Sequence, residues 1–360
     1  MLKIIKSIFR SAKKGVSKDP EVIRLESKYP RAVKLFKNRL NLDYKYGLYL
    51  TIGVLVMIIS LLLFIGTIQD ILAKDPLALA DVRITNLLAL YRSTGASKFM
   101  LFVTYMGKWQ AVFLGATLLG TILFILGKRK YLYALVLSVA GGQALVTILK
   151  DIITRQRPSL ANAVVIEKSF SFPSGHTFVV FSFYALAIYI LWKLIKKRVI
   201  RGVILALGIA IMLLISISRI YLGVHWASDV LGSTFVGTAW LSVSITYLSI
   251  QDRFGKDKNK KPLVSSKAIK IASITFLIIW VGFLFFYYGT HSYAKVTASK
   301  TESIPQTPIS ISEIPDGLFR NLPRTSEGLT GNVMEPINLI FIGSRECFRY
   351  GPFALLLILH

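Results

Sequence analysis

The sequence predicts an all-α, polytopic membrane helix bundle, and three observations support this fold class. First, 54% of the 360 residues are hydrophobic and 17% are charged, whereas soluble domains are roughly 45–50% apolar and about 25% charged. Second, seven segments are apolar over nearly the length that a helix needs to cross a bilayer, about 20 residues. Third, 44 basic residues stand against 18 acidic residues, and the basic ones cluster in alternate connections between those segments.

This composition excludes several classes of protein. A chain with a mean hydropathy of +0.58 is neither intrinsically disordered nor fibrous. The single cysteine, Cys347, excludes an intrachain disulfide and a thiolate metal site. A net charge of +26 is also typical of proteins that bind nucleic acid. The long apolar segments favour basic cytoplasmic loops of a membrane protein instead, so no nucleic acid partner is expected.

The predicted spans follow the apolar runs. They cover residues 47–69, 100–126, 131–149, 177–194, 202–217, 231–250 and 268–288. Within the second span, residues 100–107 are alternatively an interfacial segment that leads into a shorter span.

The lysines and arginines predict the orientation of these spans. If the spans alternate in direction, four basic stretches fall on one side of the bilayer, at residues 1–46, 127–130, 193–201 and 253–261. By the positive-inside rule, that side is the cytoplasm. The N-terminus is then cytoplasmic, and the connection at 150–176 faces outward, as do the connections at 70–98 and 219–229 and everything after residue 289.

The chain accordingly divides into five parts. They are a basic cytoplasmic N-terminal segment (1–46), a membrane-embedded core (47–250), a basic cytoplasmic linker (251–267), a seventh transmembrane helix (268–288) and an extracytoplasmic linker and tail (289–360). The apolar residues among the first lysines predict either a helix on an anionic leaflet or a solvated basic tail.

Two further local patterns lie outside the spans. Arg83 and the apolar residues from Leu87 to Tyr91 predict an amphipathic helix in the first outer loop, either over the outer face or as a connector. In the tail, residues 301–316 are rich in Ser, Thr and Pro and predict an extended linker. Residues 337–342 predict a short strand.

The first of three polar clusters in the outward loops runs from Lys150 to Pro158, immediately after the third span. Lys150 and Arg157 are seven residues apart, or two helical turns, so both can project from one face. Pro158 then ends the helix. The alternative interpretation is structural: the two cations snorkel to lipid headgroups at a helix end.

The second cluster, Ser171 to His176, comes immediately before the fourth span. Pro173, Ser174 and Gly175 at a helix start leave backbone N–H groups and the positive end of the helix dipole facing outward, which favours an anion. His176 would then lie at the mouth of the bundle. An ordinary helix cap with a histidine beside it is the alternative.

The third cluster runs from Ser218 to Asp229. His225 and Asp229 are four residues apart, so the carboxylate can accept the imidazole N–H, fix its tautomer and raise its basicity. Arg219 adds a third cation on the same face. The alternative is an interfacial Trp–His belt with an aspartate helix cap.

Taken together, the clusters indicate chemistry on a phosphoryl group. Three cations in one place repel one another unless they bind a polyanion, and arginine and lysine suit the oxygens of a phosphate. Two of only four histidines lie in these clusters, and they provide a nucleophile and a proton donor. Phosphoryl transfer otherwise requires mainly positioning and charge stabilisation.

At these residues the sequence resembles the three signature motifs of the type 2 phosphatidic acid phosphatase (PAP2) superfamily, over roughly residues 80–250. The resemblance implies an all-helical bundle with six membrane spans in the lipid phosphatase branch, so the seventh span and the tail are expected to be additions to a six-span core. It also implies a phosphate site in which Lys150, Arg157 and Arg219 hold the oxygens. The Ser174 hydroxyl and the Gly175 amide donate further hydrogen bonds to them.

The resemblance further implies a two-step reaction. His225 attacks phosphorus and forms a phosphohistidine, Asp229 orients His225, and His176 protonates the leaving group and then activates water. No metal ion or other cofactor takes part in this scheme, and the outer loops carry no compact carboxylate cluster for Mg²⁺. The tail, from Leu322 to Leu339, is similar only to the beginning of an outward-facing module that follows the phosphatase core in some bacterial membrane proteins.

The expected function is therefore that of an integral membrane lipid phosphatase, with its site on the extracytoplasmic face and a lipid phosphate of the bilayer as substrate. Phosphatidate, phosphatidylglycerol phosphate and a polyprenyl diphosphate all satisfy this expectation. The alternatives are a lipid phosphotransferase with the same pocket and a membrane protein that binds lipid phosphate without cleaving it. Vanadate-dependent halide oxidation is a further alternative, against which the seven spans argue because those relatives are soluble.

Overall fold

The computed structural model describes residues 20, 24, 27–41, 44, 47–73, 76–158, 163–165, 167–254 and 266–291, and four short strands in the tail. The predicted N-terminal surface helix and the predicted linker at 301–316 lie outside these residues. The helices, in chain order, are α1 (Pro30–Arg39), α2 (Leu48–Ala73), α3 (Pro76–Leu90), α4 (Thr94–Met106), α5 (Trp109–Ile125), α6 (Arg129–Ile153), α7 (Gly175–Leu194), α8 (Arg198–Tyr221), α9 (Ala227–Phe254) and α10 (Ser266–His291).

The predicted all-α membrane bundle is confirmed. Among the described residues, six helices are long and apolar enough to cross a membrane, namely α2, α6, α7, α8, α9 and α10. The second predicted span is broken rather than continuous: α4 and α5 meet at an angle of 47°. Gly107 ends α4 with its N–H bonded to the carbonyl of Thr104 at 3.0 Å, and the extended backbone of Lys108 begins α5. Counted as one bent span, the pair gives the seventh.

The core of the bundle is built where α6, α7 and α9 meet. Both α6 and α7 contain a π-helical turn, at Leu137–Gly141 and Val180–Ala185, and such turns leave carbonyl groups in need of a partner. The Ser138 hydroxyl donates to the Ser182 carbonyl at 2.8 Å, and the Trp240 indole N–H donates to the Ser138 carbonyl at 2.9 Å. These bonds join the three helices in the middle of the bundle.

The helix beyond the six-span core, α10, packs against the bent pair. The Trp280 indole N–H donates to the carbonyl of Ala111 in α5 at 2.9 Å. Near its C-terminal end, Tyr287 meets the ring of Tyr105 edge-on, with ring centroids 5.3 Å apart. Lys108 lies over both tyrosine rings, 5.1 Å from the centroid of Tyr105 and 5.6 Å from that of Tyr287. The span predicted at 268–288, which is α10, is thus attached at the break between α4 and α5.

One end of the bundle carries a group of charges that joins three helices. Asp252 of α9 pairs with Lys130 of α6 at 2.5 Å and with Lys193 of α7 at 3.5 Å. The Tyr131 hydroxyl donates to the same carboxylate at 2.9 Å. This is the end at which the sequence predicts the basic connections 127–130 and 193–201.

The remaining predicted elements are also present. The amphipathic helix expected in the first outer loop is α3, which contacts α2, α8 and α9. In the tail, β1 (Thr325–Glu327) pairs with β2 (Val333–Pro336), and β3 (Leu339–Ile342) pairs with β4 (Leu355–Ile358), both antiparallel. The strand predicted at 337–342 is confirmed by β3.

Candidate active site

Four helix ends meet at the end of the bundle opposite Asp252. Lys150 and Arg219 lie in the last turns of α6 and α8, while His176 and Asp229 lie in the first turns of α7 and α9. Between α6 and α7 the chain reverses at Thr154, whose left-handed backbone (φ 49°) is a common way to end a helix. All three sequence clusters are therefore brought to one place.

A cavity of about 430 Å³ opens at this point. Most of the predicted site residues line it, together with several that were not predicted. The lining includes Gly107, Trp109, Gln143, Val146, Thr147, Lys150, Asp151, Arg157, Glu167, Lys168, Ser169, Phe170, Gly175, His176, Val179, Arg219 and His225. Such a concave site with converging polar groups is the usual form of a substrate pocket.

The three predicted phosphate-binding cations are held in place by oxygen atoms. The Lys150 ammonium donates to the carbonyl of Phe170. Arg157 donates through Nε to the Ser169 carbonyl at 2.6 Å and through Nη1 to the Val224 carbonyl at 2.6 Å. Arg219, which is 1% exposed, donates to the Thr104 hydroxyl at 2.7 Å. Their positive charges therefore converge on the cavity from α6, α8 and the loop after α6.

The predicted pair of His225 and Asp229 is present. Nδ1 of His225 lies 3.2 Å from Oδ2 of Asp229, and both residues are almost fully buried. Nε2 of His225 lies 3.2 Å from Nη1 of Arg157. Because arginine only donates hydrogen bonds, Nε2 accepts and Nδ1 carries the proton that faces Asp229. The lone pair of Nε2 is thus on the cavity side.

His176 enters the cavity from the first turn of α7. The residue is partly buried, and its Nε2 atom is buried without a hydrogen-bond partner within the part of the chain that the structure describes. A buried polar nitrogen without a partner is costly, and a substrate oxygen in the cavity would supply one. Gly107 packs against this ring so closely that a Cβ atom there would lie 2.9 Å from Cδ2 of His176.

The Ser174 side chain caps a helix in the structure. The Ser174 hydroxyl is fully buried and acts as the cap of α7, accepting from the Thr177 N–H at 3.5 Å and from the Thr177 hydroxyl at 3.2 Å. It does not line the cavity, whereas Gly175 does. The N-terminal helix cap of the alternative interpretation is therefore present, because the serine oxygen satisfies the first turn of the helix. The hydroxyl accepts in both bonds, so its predicted donation to a phosphate stays a prediction.

Burial and the neighbouring charges shift the pKa values of three site residues that lie outside the membrane spans. Burial lowers the pKa of His225 well below its ordinary value, and Arg157 and Arg219 lower it further. Burial also lowers the pKa of Arg157, to about 10, so that its charge persists at neutral pH. Burial opposes the ionisation of Glu167, but the cations beside it, Arg219 first, hold the pKa of this carboxyl below its ordinary value.

Sequence reasoning missed several charged residues of this site, and three of them form ion pairs there. Glu167 binds Arg219, with Oε1 2.9 Å from Nη2, inside the cavity. Arg155 pairs with Asp229 at 2.5 Å and with Asp81 of α3 at 2.8 Å. A signal for Glu167 and Arg155 was available: Glu167 is the only acidic residue between Asp151 and Asp229, and Arg155 stands two residues before Arg157. Asp81 has no comparable signal.

Comparison with known proteins places this site in a family. Residues 131–254 match the family profile described as the PAP2 superfamily. Phosphatidylglycerophosphatase B of Bacillus subtilis (strain 168) is 32% identical over 189 residues, which cover 50% of this chain and 88% of that protein. Phosphatidylglycerophosphatase B of Haemophilus influenzae (strain ATCC 51907 / DSM 11121 / KW20 / Rd) is 36% identical over 88 residues, which cover 24% of this chain and 35% of that protein.

A solved structure is similar over the same part of the chain. The crystal structure of the first transmembrane PAP2 type phosphatidylglycerolphosphate phosphatase from Bacillus subtilis superposes with a TM-score of 0.50 and 28% sequence identity. The superposition covers 52% of this chain and 93% of that one. The chain therefore belongs to the PAP2 superfamily, and it is a multi-pass membrane lipid phosphatase that acts on phosphoric ester bonds.

Proposed function

We propose that this protein hydrolyses the phosphomonoester or diphosphate of a membrane lipid at the extracytoplasmic face, through a phosphohistidine on His225. The observation that carries the proposal is the position of the His225 ring. Its unprotonated Nε2 faces a cavity lined by Lys150, Arg157 and Arg219, while its Nδ1–H faces Asp229. A nucleophile held by a carboxylate and surrounded by cations is the arrangement that phosphoryl transfer requires.

In the first step, Nε2 of His225 attacks phosphorus in line with the scissile bond. A P–N bond forms and the P–O bond to the leaving group breaks, so that its electron pair stays on the leaving oxygen. His176, protonated while the phosphate is bound, gives its proton to that oxygen. Asp229 stabilises the positive charge that the His225 ring acquires, and the three cations stabilise the phosphoryl oxygens.

In the second step, His176 takes a proton from a water molecule whose oxygen attacks phosphorus. The P–N bond breaks, inorganic phosphate leaves, and His225 returns to its neutral form. If an alcohol replaced water at this step, the product would be a new phosphoester. Analysis of the products therefore distinguishes hydrolysis from phosphotransfer.

The lipid character of the substrate is supported by the site's place at the ends of apolar helices. The names of the two relatives make phosphatidylglycerol phosphate the first substrate to test, with phosphatidate and a polyprenyl diphosphate beside it. The purified protein, assayed with a chelator present, is expected to release inorganic phosphate from at least one of them. His225→Ala and His176→Ala are each expected to lower the rate by several orders of magnitude. Undiminished release of phosphate by His225→Ala would show that His225 is not the nucleophile.

The extracytoplasmic location of the site is supported by the charged end of the bundle opposite to it, around Lys130, Lys193 and Asp252. A cysteine scan in a Cys347→Ser background tests this location. Tyr91→Cys, at an exposed position at the site's end of the bundle, is expected to react with a membrane-impermeant thiol reagent in intact cells. Lys197→Cys is expected to react only after permeabilisation. The reverse pattern would place the site in the cytoplasm.

A further inference from the structure

Asp81 of α3 is a buried carboxylate at the site that belongs to none of the three sequence clusters. It is 1% exposed. Its Oδ1 accepts the backbone N–H of Ser228 at 2.8 Å, and its Oδ2 accepts from Nη2 of Arg155 at 2.8 Å and from the Ser228 hydroxyl. A buried charge is costly unless it is paired and hydrogen-bonded. These bonds attach α3 to the first turn of α9 and to the loop after α6.

Arg155 connects this carboxylate to a second one. Its Nη1 donates to Oδ1 of Asp229 at 2.5 Å and to the Ser228 hydroxyl at 2.7 Å, while Nη2 is bound to Asp81. The guanidinium also lies over the indole of Trp226, 5.6 Å from the ring centroid. Unlike Arg157, two residues further along, Arg155 does not line the cavity. Both of its terminal nitrogens are therefore engaged by carboxylates and not available to a phosphate.

Asp229, which Arg155 binds, also contacts the imidazole ring of His225. Oδ2 of Asp229 accepts from Nδ1 of His225, from the Trp226 N–H at 2.9 Å and from the Ser171 hydroxyl. We propose that Asp81 is a positioning residue for the phosphatase reaction: through Arg155 it holds and balances the charge of Asp229, and so sets the orientation and basicity of His225. This proposal rests on the role of His225 as nucleophile.

The electrostatic consequence has a definite sign. With Asp81 neutral, Asp229 alone would balance the charge of Arg155, whose Nη1 lies 2.5 Å from it. The guanidinium would then cancel a larger part of the negative potential that Asp229 exerts on His225. The His225 ring becomes positive when it attacks phosphorus, so the transition state would lose more stabilisation than the bound substrate would. The loss appears in kcat and not in KM.

Asp81→Asn tests the proposal, because it keeps the size of the side chain and removes its charge. We expect kcat to fall about 10- to 100-fold, the range for residues that orient a functional ligand through another group, with KM nearly unchanged. We also expect the acidic limb of the profile of kcat/KM against pH to move to lower pH, because Arg155 then opposes the protonation of His225. Asp81→Glu keeps the charge and should recover part of the rate.

Several charged or titratable groups face His225 and enter that profile. They are Asp229 of α9, Lys150 of α6, Arg219 of α8, His176 of α7, and Arg157 and Glu167 of the loop between α6 and α7. All of them are unchanged in the Asp81 variants. A shift of the limb in Asp81→Asn is therefore due to the changed balance between Arg155 and Asp229.

Asp252→Asn is the matched control, since Asp252 is also paired with a cation but lies at the other end of the bundle. It should lower thermal stability without changing kcat or the acidic limb. A double-mutant cycle adds a second test: if Asp81 acts through Arg155, Asp81→Asn should have almost no further effect on kcat in an Arg155→Gln background.

The outcomes separate this proposal from the proposed function. A wild-type protein that releases phosphate, with an Asp81→Asn variant that keeps both its kcat and its acidic limb, would overturn the positioning role alone. Equal losses of kcat in Asp81→Asn and Asp252→Asn, or additive effects of the Asp81 and Arg155 substitutions, would also overturn it. A wild-type protein without turnover on any lipid phosphate would overturn the proposed function, and the positioning role with it.

Discussion

Nε2 of His225 and Nη1 of Arg157 lie 3.2 Å apart at the wall of the cavity. Arginine has no acceptor, so this contact keeps the proton of the imidazole on Nδ1, where Asp229 accepts it. The nitrogen that we propose as the nucleophile is thereby held unprotonated beside a cation suited to the oxygens of a phosphate. When a phosphate enters, Arg157 can exchange this bond for one to a phosphoryl oxygen, which frees the lone pair of Nε2 for attack.

Arg157→Lys is expected to lower kcat/KM for a lipid phosphate about 100- to 1,000-fold, the usual loss when one charge-stabilising donor is removed. Lysine keeps the charge but cannot hold the carbonyls of Ser169 and Val224 at once with a planar fork, as arginine does. The measurement is phosphate release by purified protein over a range of substrate concentrations.

The matched control for this substitution is Arg201→Lys. Arg201 also bonds a backbone carbonyl, that of Ile195 at 2.5 Å, but at the other end of α8 from Arg219. Arg201→Lys should therefore leave kcat/KM unchanged. Similar losses in the two variants would show that arginine is needed for folding and not for the site.

The second prediction concerns pH. Burial and the nearby arginines lower the pKa of His225 well below 6.5, and a lowered pKa favours the neutral, nucleophilic ring. The acidic limb of kcat/KM, which reports the free enzyme, should therefore lie below the ordinary pKa of histidine. A rate profile measured with a substrate whose phosphate stays in one ionic form tests this. A limb at or above 6.5 would contradict the burial of the ring among cations.

The helices and the catalytic motifs could be predicted from the sequence because each leaves a local signal. Apolar runs define α2 and α6 within a few residues, and the spacing of His225 and Asp229 identifies their contact. For the break between α4 and α5 the sequence left two alternatives, a continuous span and an interfacial segment at 100–107 before a shorter span, since apolar residues continue on both sides of Gly107 and Lys108. The structure places the bend at these two residues.

The ion pairs of the site could not be predicted from the sequence for a different reason, even though the sequence marks Glu167 and Arg155 as single residues. Arg155 and Asp81 are 74 residues apart, and Glu167 and Arg219 are 52 residues apart. Periodicity and motif spacing report contacts within a few turns of one element, whereas these contacts depend on how separate helices pack. The two alternatives for Ser174, a phosphate donor and a helix cap, stayed open for a related reason: the motif gives the residue type but not which neighbour its hydroxyl meets.

The third prediction concerns Glu167, whose carboxylate accepts from Nη2 of Arg219 at 2.9 Å. An incoming phosphate must compete with it for the guanidinium. Glu167→Gln removes the competing charge, so orthovanadate and inorganic phosphate should inhibit the variant more strongly, by about tenfold for one charge-assisted hydrogen bond. Inhibition constants measured at one pH and salt concentration give this comparison.

Asp151→Asn serves as the control for Glu167, because Asp151 is another carboxylate of the cavity lining. A smaller change in its inhibition constants is expected, since no bond to a phosphate-binding arginine is removed. If both variants bind vanadate equally well, the effect belongs to the net charge of the cavity and not to the pair of Glu167 and Arg219.

The last prediction follows from the contact between Gly107 and His176. A Cβ atom at position 107 would lie 2.9 Å from Cδ2 of His176, closer than Cβ atoms approach other atoms in proteins, and 3.0 Å from Cγ2 of Ile215, which is also a tight contact. Gly107→Ala should therefore displace the His176 ring and slow the step in which it protonates the leaving group. The loss should be large for a substrate with a poor leaving group and small for an activated aryl phosphate, which needs no proton.

Gly95→Ala is the matched control, because Gly95 is a helical glycine of α4 and a Cβ added there would have no atom within 4 Å. This variant should leave both rates unchanged. Equal losses on both substrates in Gly107→Ala would mean that the bend between α4 and α5 has moved, and that the effect does not pass through His176.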